Sequence, residues 1–214
     1  MPGPLHPATC TIIIRMETPE FKTVGIVGAG AMGRGIAQIA AQAGSKVLLF
    51  DTQADAVAKA RESVAAQWDK LVEKGRIDAA AAAAQKERLQ PAATLADLAP
   101  CDLIVEAIVE RLDVKKGLFA ELEGIVQPTA VLATNTSSLS VTAIAAGLKR
   151  PQQFAGFHFF NPVPLMKVVE CIAGLKTDPA VCQRLATYAR QMGHTPVQAE
   201  DTPGVIVNHA GSGY

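Results

Sequence analysis

The sequence predicts a doubly wound α/β domain, a mostly parallel sheet with helices on both faces. Two observations carry that prediction. Residues 24–50 alternate strand, helix, strand, and the glycines Gly28, Gly30 and Gly33 fall between the first strand and the first helix.

Val24-Gly25-Ile26-Val27 reads as a short buried strand. Ile36, Ile39, Ala40 and Ala43 follow at helical spacing up to Gly44, a natural helix stop, and Lys46-Val-Leu-Leu-Phe50 is a second strand. Such a unit implies parallel pairing through a crossover helix. Residues 53–89 are rich in Ala, Lys, Glu and Arg, lack strand signals and are divided at Gly75, which predicts a helical hairpin inserted after the second strand. The sheet resumes at residues 102–108 and 130–134, separated by a helix whose Leu118, Leu122 and Ile125 share a face. Further strands are expected at 154–159 and 167–172. A last helix has Asp178 as N-cap, Pro179 in its first turn and Gly193 at its end, and residues 194–198 form an edge strand. Residues 201–204 then look like another helix opening, and the sequence stops at Tyr214. The resulting expectation is a loose extension over 1–20, a cofactor-binding domain over 21–201, and over 202–214 the truncated start of a further domain.

Lys+Arg 20 against Asp+Glu 20 leaves no net charge, so neither a nucleic-acid backbone nor an anionic membrane surface is an expected partner. Cys10, Cys101, Cys171 and Cys182 show no C-x-x-C spacing, which points to reduced thiols. No apolar run reaches the length of a membrane span and the start lacks a signal-peptide pattern, so a soluble cytoplasmic protein is expected. No metal-ligand spacing occurs, and His6, His194 and His209 stand in no environment that suggests chemistry.

Gly28-Ala29-Gly30-Ala31-Met32-Gly33 fits G-x-G-x-x-G in the context that gives the motif meaning, after a strand and opening a helix. Gly28 permits the tight turn, Gly30 lets backbone approach a pyrophosphate, and Gly33 lets the helix pack close to the strand. Asp51, 23 residues after Gly28 at the end of the second strand, is placed to hold a ribose 2′-hydroxyl. A carboxylate there repels the phosphate of NADP, and Thr52 and Gln53 supply no arginine, so NAD is the expected cofactor, with FAD its competitor. The blander alternative is a tight turn followed by an ordinary helix cap at Asp51.

His158 and Glu170 lie in apolar runs, Phe154-Ala-Gly-Phe-His-Phe-Phe-Asn161 and Lys167-Val-Val-Glu-Cys-Ile172. A carboxylate in an apolar strand is costly unless paired, and a histidine twelve residues away is the obvious partner. If the strands meet, the pair makes a general base. The alternative is a satisfied core histidine and a solvent-reaching glutamate. Ser137 and Ser138 end the fourth strand, at the edge where such sheets bind ligands, unless one merely caps the next helix. Glu110 and Lys115 follow the third strand on that edge and by themselves read as surface charges.

Four motifs resemble the L-3-hydroxyacyl-CoA dehydrogenase family: Gly28-Ala-Gly-Ala-Met-Gly33, Val105-Glu-Ala-Ile-Val-Glu110, Ala133-Thr-Asn-Thr-Ser-Ser138 and above all Gly156-Phe-His-Phe-Phe-Asn-Pro-Val-Pro-Leu-Met166. The likeness spans residues 21–214 and leans toward bacterial enzymes of β-oxidation or phenylacetate degradation that act on 3-hydroxybutyryl- or 3-hydroxyadipyl-CoA. It implies a Rossmann-type domain and NAD-dependent oxidation of an L-3-hydroxyacyl-CoA to the 3-oxoacyl-CoA. His158 then acts as base and Glu170 as its orienting carboxylate. Ser137 and Asn208 bind substrate oxygens, Asn161 orders the catalytic strand, and Glu110 and Lys115 contact the nicotinamide end of NAD. Ser63 and Lys70 contact the nucleotide part of CoA. The family continues into an all-helical domain that forms a homodimer and closes the acyl pocket, so the resemblance implies a shortened chain that binds NAD but turns over weakly. Two other readings compete. One is a non-catalytic protein of the same fold, which needs neither His158 nor Glu170; the other is a 6-phosphogluconate or 3-hydroxyisobutyrate dehydrogenase-like enzyme, which uses a lysine and lacks His-Phe-Phe-Asn-Pro.

Overall fold

In the computed structural model, which describes residues 17–53 and 55–201, the first strand, β1 (Thr23–Val27), leads through the glycine turn into α1 (Ala31–Gln42) and β2 (Lys46–Phe50). The hairpin α2 (Ala56–Glu73) and α3 (Ala79–Arg88) follows, broken around Gly75, whose backbone has φ +65°. Next come β3 (Leu89–Pro91), β4 (Leu103–Glu106), α4 (Leu112–Ile125), β5 (Val131–Thr134) and the short α5 (Val141–Ala145). The described part ends with β6 (Phe154–Phe159), β7 (Val168–Ala173), α6 (Pro179–Gln191) and β8 (Thr195–Glu200). The expected extension over 1–16 and the helix opening after 201 lie outside the described residues, as does Cys10.

The eight strands form one sheet in the order β3-β2-β1-β4-β5-β6-β7-β8. All neighbours are parallel except β6 and β7, so β7 and β8 run against the rest. From β1 the chain winds outward to β3 and then returns to β4 on the other side, which places the point of reversal between the carboxyl ends of β1 and β4. A crevice opens there in sheets of this kind because the two connections diverge to opposite faces.

Side chains alternate across the sheet, and so the core has two layers. Val24 and Ile26 of β1 and Leu103 and Val105 of β4 join the layer beneath α1, α2 and α6. Val27 and Ile104, one residue out of step, join the layer beneath α4 and α5. Cys101, Cys171 and Cys182 are free and buried, and burial pushes the Cys101 and Cys171 thiols up to about 12.

Three details differ from the sequence expectation. β3 was not anticipated, because three residues with a single buried side chain, Leu89, show no periodicity; Pro91 is tolerated there at the sheet edge. The buried face of α4 carries Lys115, Phe119 and Leu122, while Leu118 and Ile125 are half-buried. A lysine in that face disguised its phase. Neither Ser137 nor Ser138 caps α5; Ser140 does, accepting from the Ala143 amide at 3.1 Å.

The last described residue fastens β8 to α5. Asp201 accepts from the Ser140 hydroxyl at 2.7 Å and from the amides of Val141 and Thr142 at 3.1 and 2.8 Å. Partial burial raises its carboxyl, but the bonds from Ser140, Thr142 and Val141 outweigh that and hold it below its ordinary value of 3.8. A depressed folded-state value means the contribution is present above the ordinary value and is lost as pH falls through the folded one. Asp201→Asn is expected to cost about 1 kcal/mol at pH 7, the half-exposed site being screened. The difference from the parent should shrink as denaturation is measured at pH values descending from 3.8.

The glycine turn supplies a sharper test. A Cβ on residue 33 would lie 1.7 Å from the Gly28 carbonyl oxygen, whereas at residue 30 it would meet nothing within 4 Å. Gly33→Ala should therefore cost about 3 kcal/mol or more, or prevent folding, while Gly30→Ala stays within about 0.5 kcal/mol of the parent in chemical denaturation.

Candidate active site

The turn at the point of reversal is built around backbone contact. Gly28 sits at φ +109° with its amide bonded to the Phe50 carbonyl at 2.8 Å, and a Cβ there would strike the Ala107 carbonyl at 2.5 Å. The only comfortable residue in that left-handed conformation, against that neighbour, is glycine. Gly30 immediately precedes α1, whose first turn carries no acidic side chain, so the helix N-terminus and its free amides face open space that a side chain at residue 30 would fill. Asp51 stands beside this opening. Its Oδ2 accepts from the Ala29 amide and its Oδ1 from the Gln53 amide, both at 2.8 Å. The α2 helix begins only at Ala56, with Asp55 before it, so Asp51 is not its cap. One further lone pair on each oxygen is available to a ribose hydroxyl. The donor set and the open cradle fit a dinucleotide with an unphosphorylated ribose.

On the other side of the reversal, three charges meet at the end of β4. Glu106 is fully buried; its Oε2 accepts from Lys115 Nζ at 2.6 Å and from the Ile108 amide at 2.8 Å, and its Oε1 from the Thr134 hydroxyl at 2.7 Å. The Lys115 ammonium, 1% exposed, also lies 3.2 Å from Glu110 Oε2. Glu110 Oε1 accepts from the Thr136 hydroxyl, from the amides of Ser137 and Ser138 at 3.1 and 3.2 Å, and from the Ser138 hydroxyl at 3.1 Å. Partial burial raises the Glu110 carboxyl, yet the Thr136 bond and the Lys115 charge more than offset that and hold it below its ordinary value. Lys115 is thus not the surface charge its sequence context suggests, while Glu110 is exposed as expected but anchored by these bonds. They brace the loop that carries Ser137.

His158 and Glu170 are Cα partners in the antiparallel register of β6 and β7, so their side chains share one face. His158 Nδ1 lies 2.8 Å from Glu170 Oε2. The ring is 6% exposed and packs against Phe160, with centroids 4.6 Å apart and planes tilted by 55°. Nε2 has no hydrogen-bond partner among the described residues, and the ring lines a cavity of about 350 Å³ together with Met32, Glu110, Lys115, Asn135, Ser137 and Asn161. This arrangement lets Glu170 accept Nδ1–H and leaves the Nε2 lone pair free to take a proton from a bound hydroxyl.

The end of β6 is tied down by Asn135, whose Oδ1 accepts from the Phe159 amide at 2.8 Å. Asn161, expected in that role, is exposed and precedes a cis peptide bond to Pro162. It belongs to the rim. Glu106, Thr134 and Asn135 escaped the sequence reading of site residues, although a charge closing a buried strand, nine residues before a lysine, was a usable signal.

Ser63 lines a second cleft of about 240 Å³, with Arg34, Gln38, Gln67 and residues 161–165. Lys70, two helical turns on, is exposed and lines neither cleft, so the structure does not bring it to Ser63. Asn208 lies outside the described residues. Among the described residues no group of His, Cys, Asp and Glu could hold a metal, and no helix is long and apolar enough to cross a membrane.

Residues 23–202 match the family model for the 3-hydroxyacyl-CoA dehydrogenase NAD-binding domain. The 3-hydroxyadipyl-CoA dehydrogenase of Escherichia coli K12 is 44% identical over 195 residues, which are 91% of this chain and 41% of that protein. A 3-hydroxybutyryl-CoA dehydrogenase of Bradyrhizobium diazoefficiens is 41% identical over 88% of this chain and 64% of its own length. Among solved structures, the 3-hydroxybutyryl-CoA dehydrogenase of Escherichia coli K12 superposes with a TM-score of 0.86 at 44% identity, covering 88% of this chain and 40% of that one. The (S)-3-hydroxybutyryl-CoA dehydrogenase of Ralstonia eutropha gives 0.84 at 39% identity over 88% and 67%. The chain thus spans about two fifths to two thirds of these relatives. NAD is the cofactor indicated by family and by the donor set at Asp51 alike, and by the match over nearly all its described residues the chain belongs to the 3-hydroxyacyl-CoA dehydrogenase NAD-binding domain family.

Proposed function

We propose that this chain carries the NAD site and the catalytic dyad of an L-3-hydroxyacyl-CoA dehydrogenase. The observation that supports it most is the His158–Glu170 pair, at 2.8 Å, with the imidazole lining the cavity beside the point of reversal. NAD supplies an acceptor for the hydride that leaves C3 of the substrate. His158 Nε2 takes the hydroxyl proton, and Glu170 steadies the imidazolium that results. Ser137, on the loop braced by Glu110, donates to a substrate oxygen, and Asn208 is proposed to do the same. Ser63, beside the second cleft, is proposed to meet the nucleotide end of CoA; Lys70 is in reach only of a ligand that extends along α2. Met32 forms part of the cavity wall against which a nicotinamide can pack, so that ring and acyl carbon are held together before transfer. Binding of the CoA handle remote from the reacting carbon can be spent on that alignment. A homodimer formed through additional helices, as the resemblance implies, belongs to the same proposal.

Acetoacetyl-CoA-dependent oxidation of NADH measures the activity. His158→Gln should reduce kcat by about a thousandfold while the Kd for NADH stays within about threefold, as removal of a proton acceptor demands. A parallel loss of NADH affinity would sink the assignment of His158 as the base. Gly30→Ala should do the reverse, since its methyl occupies the cradle: an NADH Kd raised at least about tenfold, in a protein that folds normally. Unchanged affinity in that variant would mean that the pyrophosphate lies elsewhere.

A further inference from the structure

Three ionisable groups, not two, converge at the end of β4. Glu106 and Lys115 would satisfy each other as an isolated buried pair, at 2.6 Å with both side chains excluded from solvent. The second carboxylate, Glu110, is brought to the same ammonium at 3.2 Å and stabilised in its charged form by the Thr136 and Ser138 hydroxyls and the Ser137 and Ser138 amides. Two carboxylates against one ammonium leave the cluster at −1. Lys115 is the one lysine or arginine among the described residues lining the adjacent cavity. Bracing the 136–138 loop needs a hydrogen-bond acceptor at Glu110, but not that its charge be brought to an ammonium already paired with Glu106.

The extra charge has a use if the nicotinamide sits in this cavity. The ring is cationic in NAD⁺ and neutral in NADH, so a fixed negative charge behind a low-dielectric wall stabilises the oxidised form selectively. We infer that the Glu106–Lys115–Glu110 cluster sets the preference of the site between the two redox states of its cofactor through its net negative charge, with Glu106 the buried positioning residue that holds Lys115 between the two carboxylates. The inference rests on the dehydrogenase reading for the location of the ring. Glu106 touches neither ring nor substrate; it acts through Lys115 and through the field.

The test is calorimetric titration of the chain with NAD⁺ and with NADH separately. Glu106→Gln keeps the shape and most hydrogen bonds and takes the cluster to neutral. It should move the ratio Kd(NADH)/Kd(NAD⁺) about tenfold in favour of NADH, the order expected when one nearby charge is removed at an effective dielectric near 20. Thr134→Val removes the hydroxyl that bonds Glu106 without altering charge, and should leave the ratio within about twofold whatever it does to stability. The double variant Glu106→Gln/Lys115→Gln restores the cluster to −1 and should bring the ratio back toward the parent's. Should Glu106→Gln not fold, Glu110→Gln makes the same change of charge at the partly exposed end of the cluster and must shift the ratio in the same direction. Equal weakening of both forms by Glu106→Gln, or a ratio that Thr134→Val moves as much, overturns the inference while leaving the dehydrogenase reading intact. Failure of the parent chain to bind either form overturns both.

Discussion

A carbonyl oxygen lying 1.7 Å from where a side chain would begin at residue 33 is the constraint on which the site depends. Because Gly33 has no Cβ, α1 can rest against the turn at Gly28, and because Gly28 adopts φ +109° that turn can rest against the Ala107 carbonyl beyond β4. The two halves of the sheet are thereby locked together at their carboxyl edges. The N-terminus of α1, the carboxylate of Asp51 and the end of β4 then face one opening, with unpaired amides at one side and paired charges at the other. The chemistry of the opening follows from that geometry, since an anion suits the helix end and a neutral or cationic ring suits the acidic cluster.

The polar groups behind the opening are dry and therefore connected. Glu106, Lys115 and Thr134 are each almost wholly excluded from water, and each is satisfied by the others. Breaking one such partnership strands a buried charge, which is far more destabilising than the net contribution of the intact set. The network continues through Glu110 to Thr136, Ser137 and Ser138, and Asn135 in the same loop accepts from the backbone of β6 beside His158. One segment, residues 134–138, thus ties the cofactor side of the cavity to the dyad. The antiparallel turn of β7 against β6 completes it by setting Glu170 directly opposite His158.

How much of this was legible in the sequence depends on whether the signal was local. The glycine turn, Asp51, the parallel strands other than β3 and the division of the hairpin at Gly75 are written in spacing and residue type, and the structure has them close to where spacing put them. The meeting of His158 with Glu170 was legible as a need, since each lacked a local partner in an apolar strand, and the register supplied the answer. What was not legible required knowing which strands lie side by side. Thr134 serves Glu106 only because β5 pairs with β4, and Asn135 serves Phe159 only because β6 pairs with β5. Lys115 looked like solvent-facing charge and shifted the apparent phase of α4, because a buried lysine breaks the apolar pattern by which buried faces are read. Ser63 and Lys70 do lie along one stripe of α2, but seven residues put them two turns apart, so their shared face did not bring them into one cleft.

In the proposed complex the free nitrogen of His158 faces the reacting oxygen while the cofactor lies along the carboxyl edge from Asp51 to Glu110. A structure of the chain with NADH and acetoacetyl-CoA measures this most directly. The C3 oxygen is expected within about 3 Å of His158 Nε2, with the nicotinamide against Met32 and the adenosine ribose on Asp51. An acyl chain placed in the cleft beside Ser63 with its ketone away from His158, or a dinucleotide bound without contact to Asp51, would contradict it.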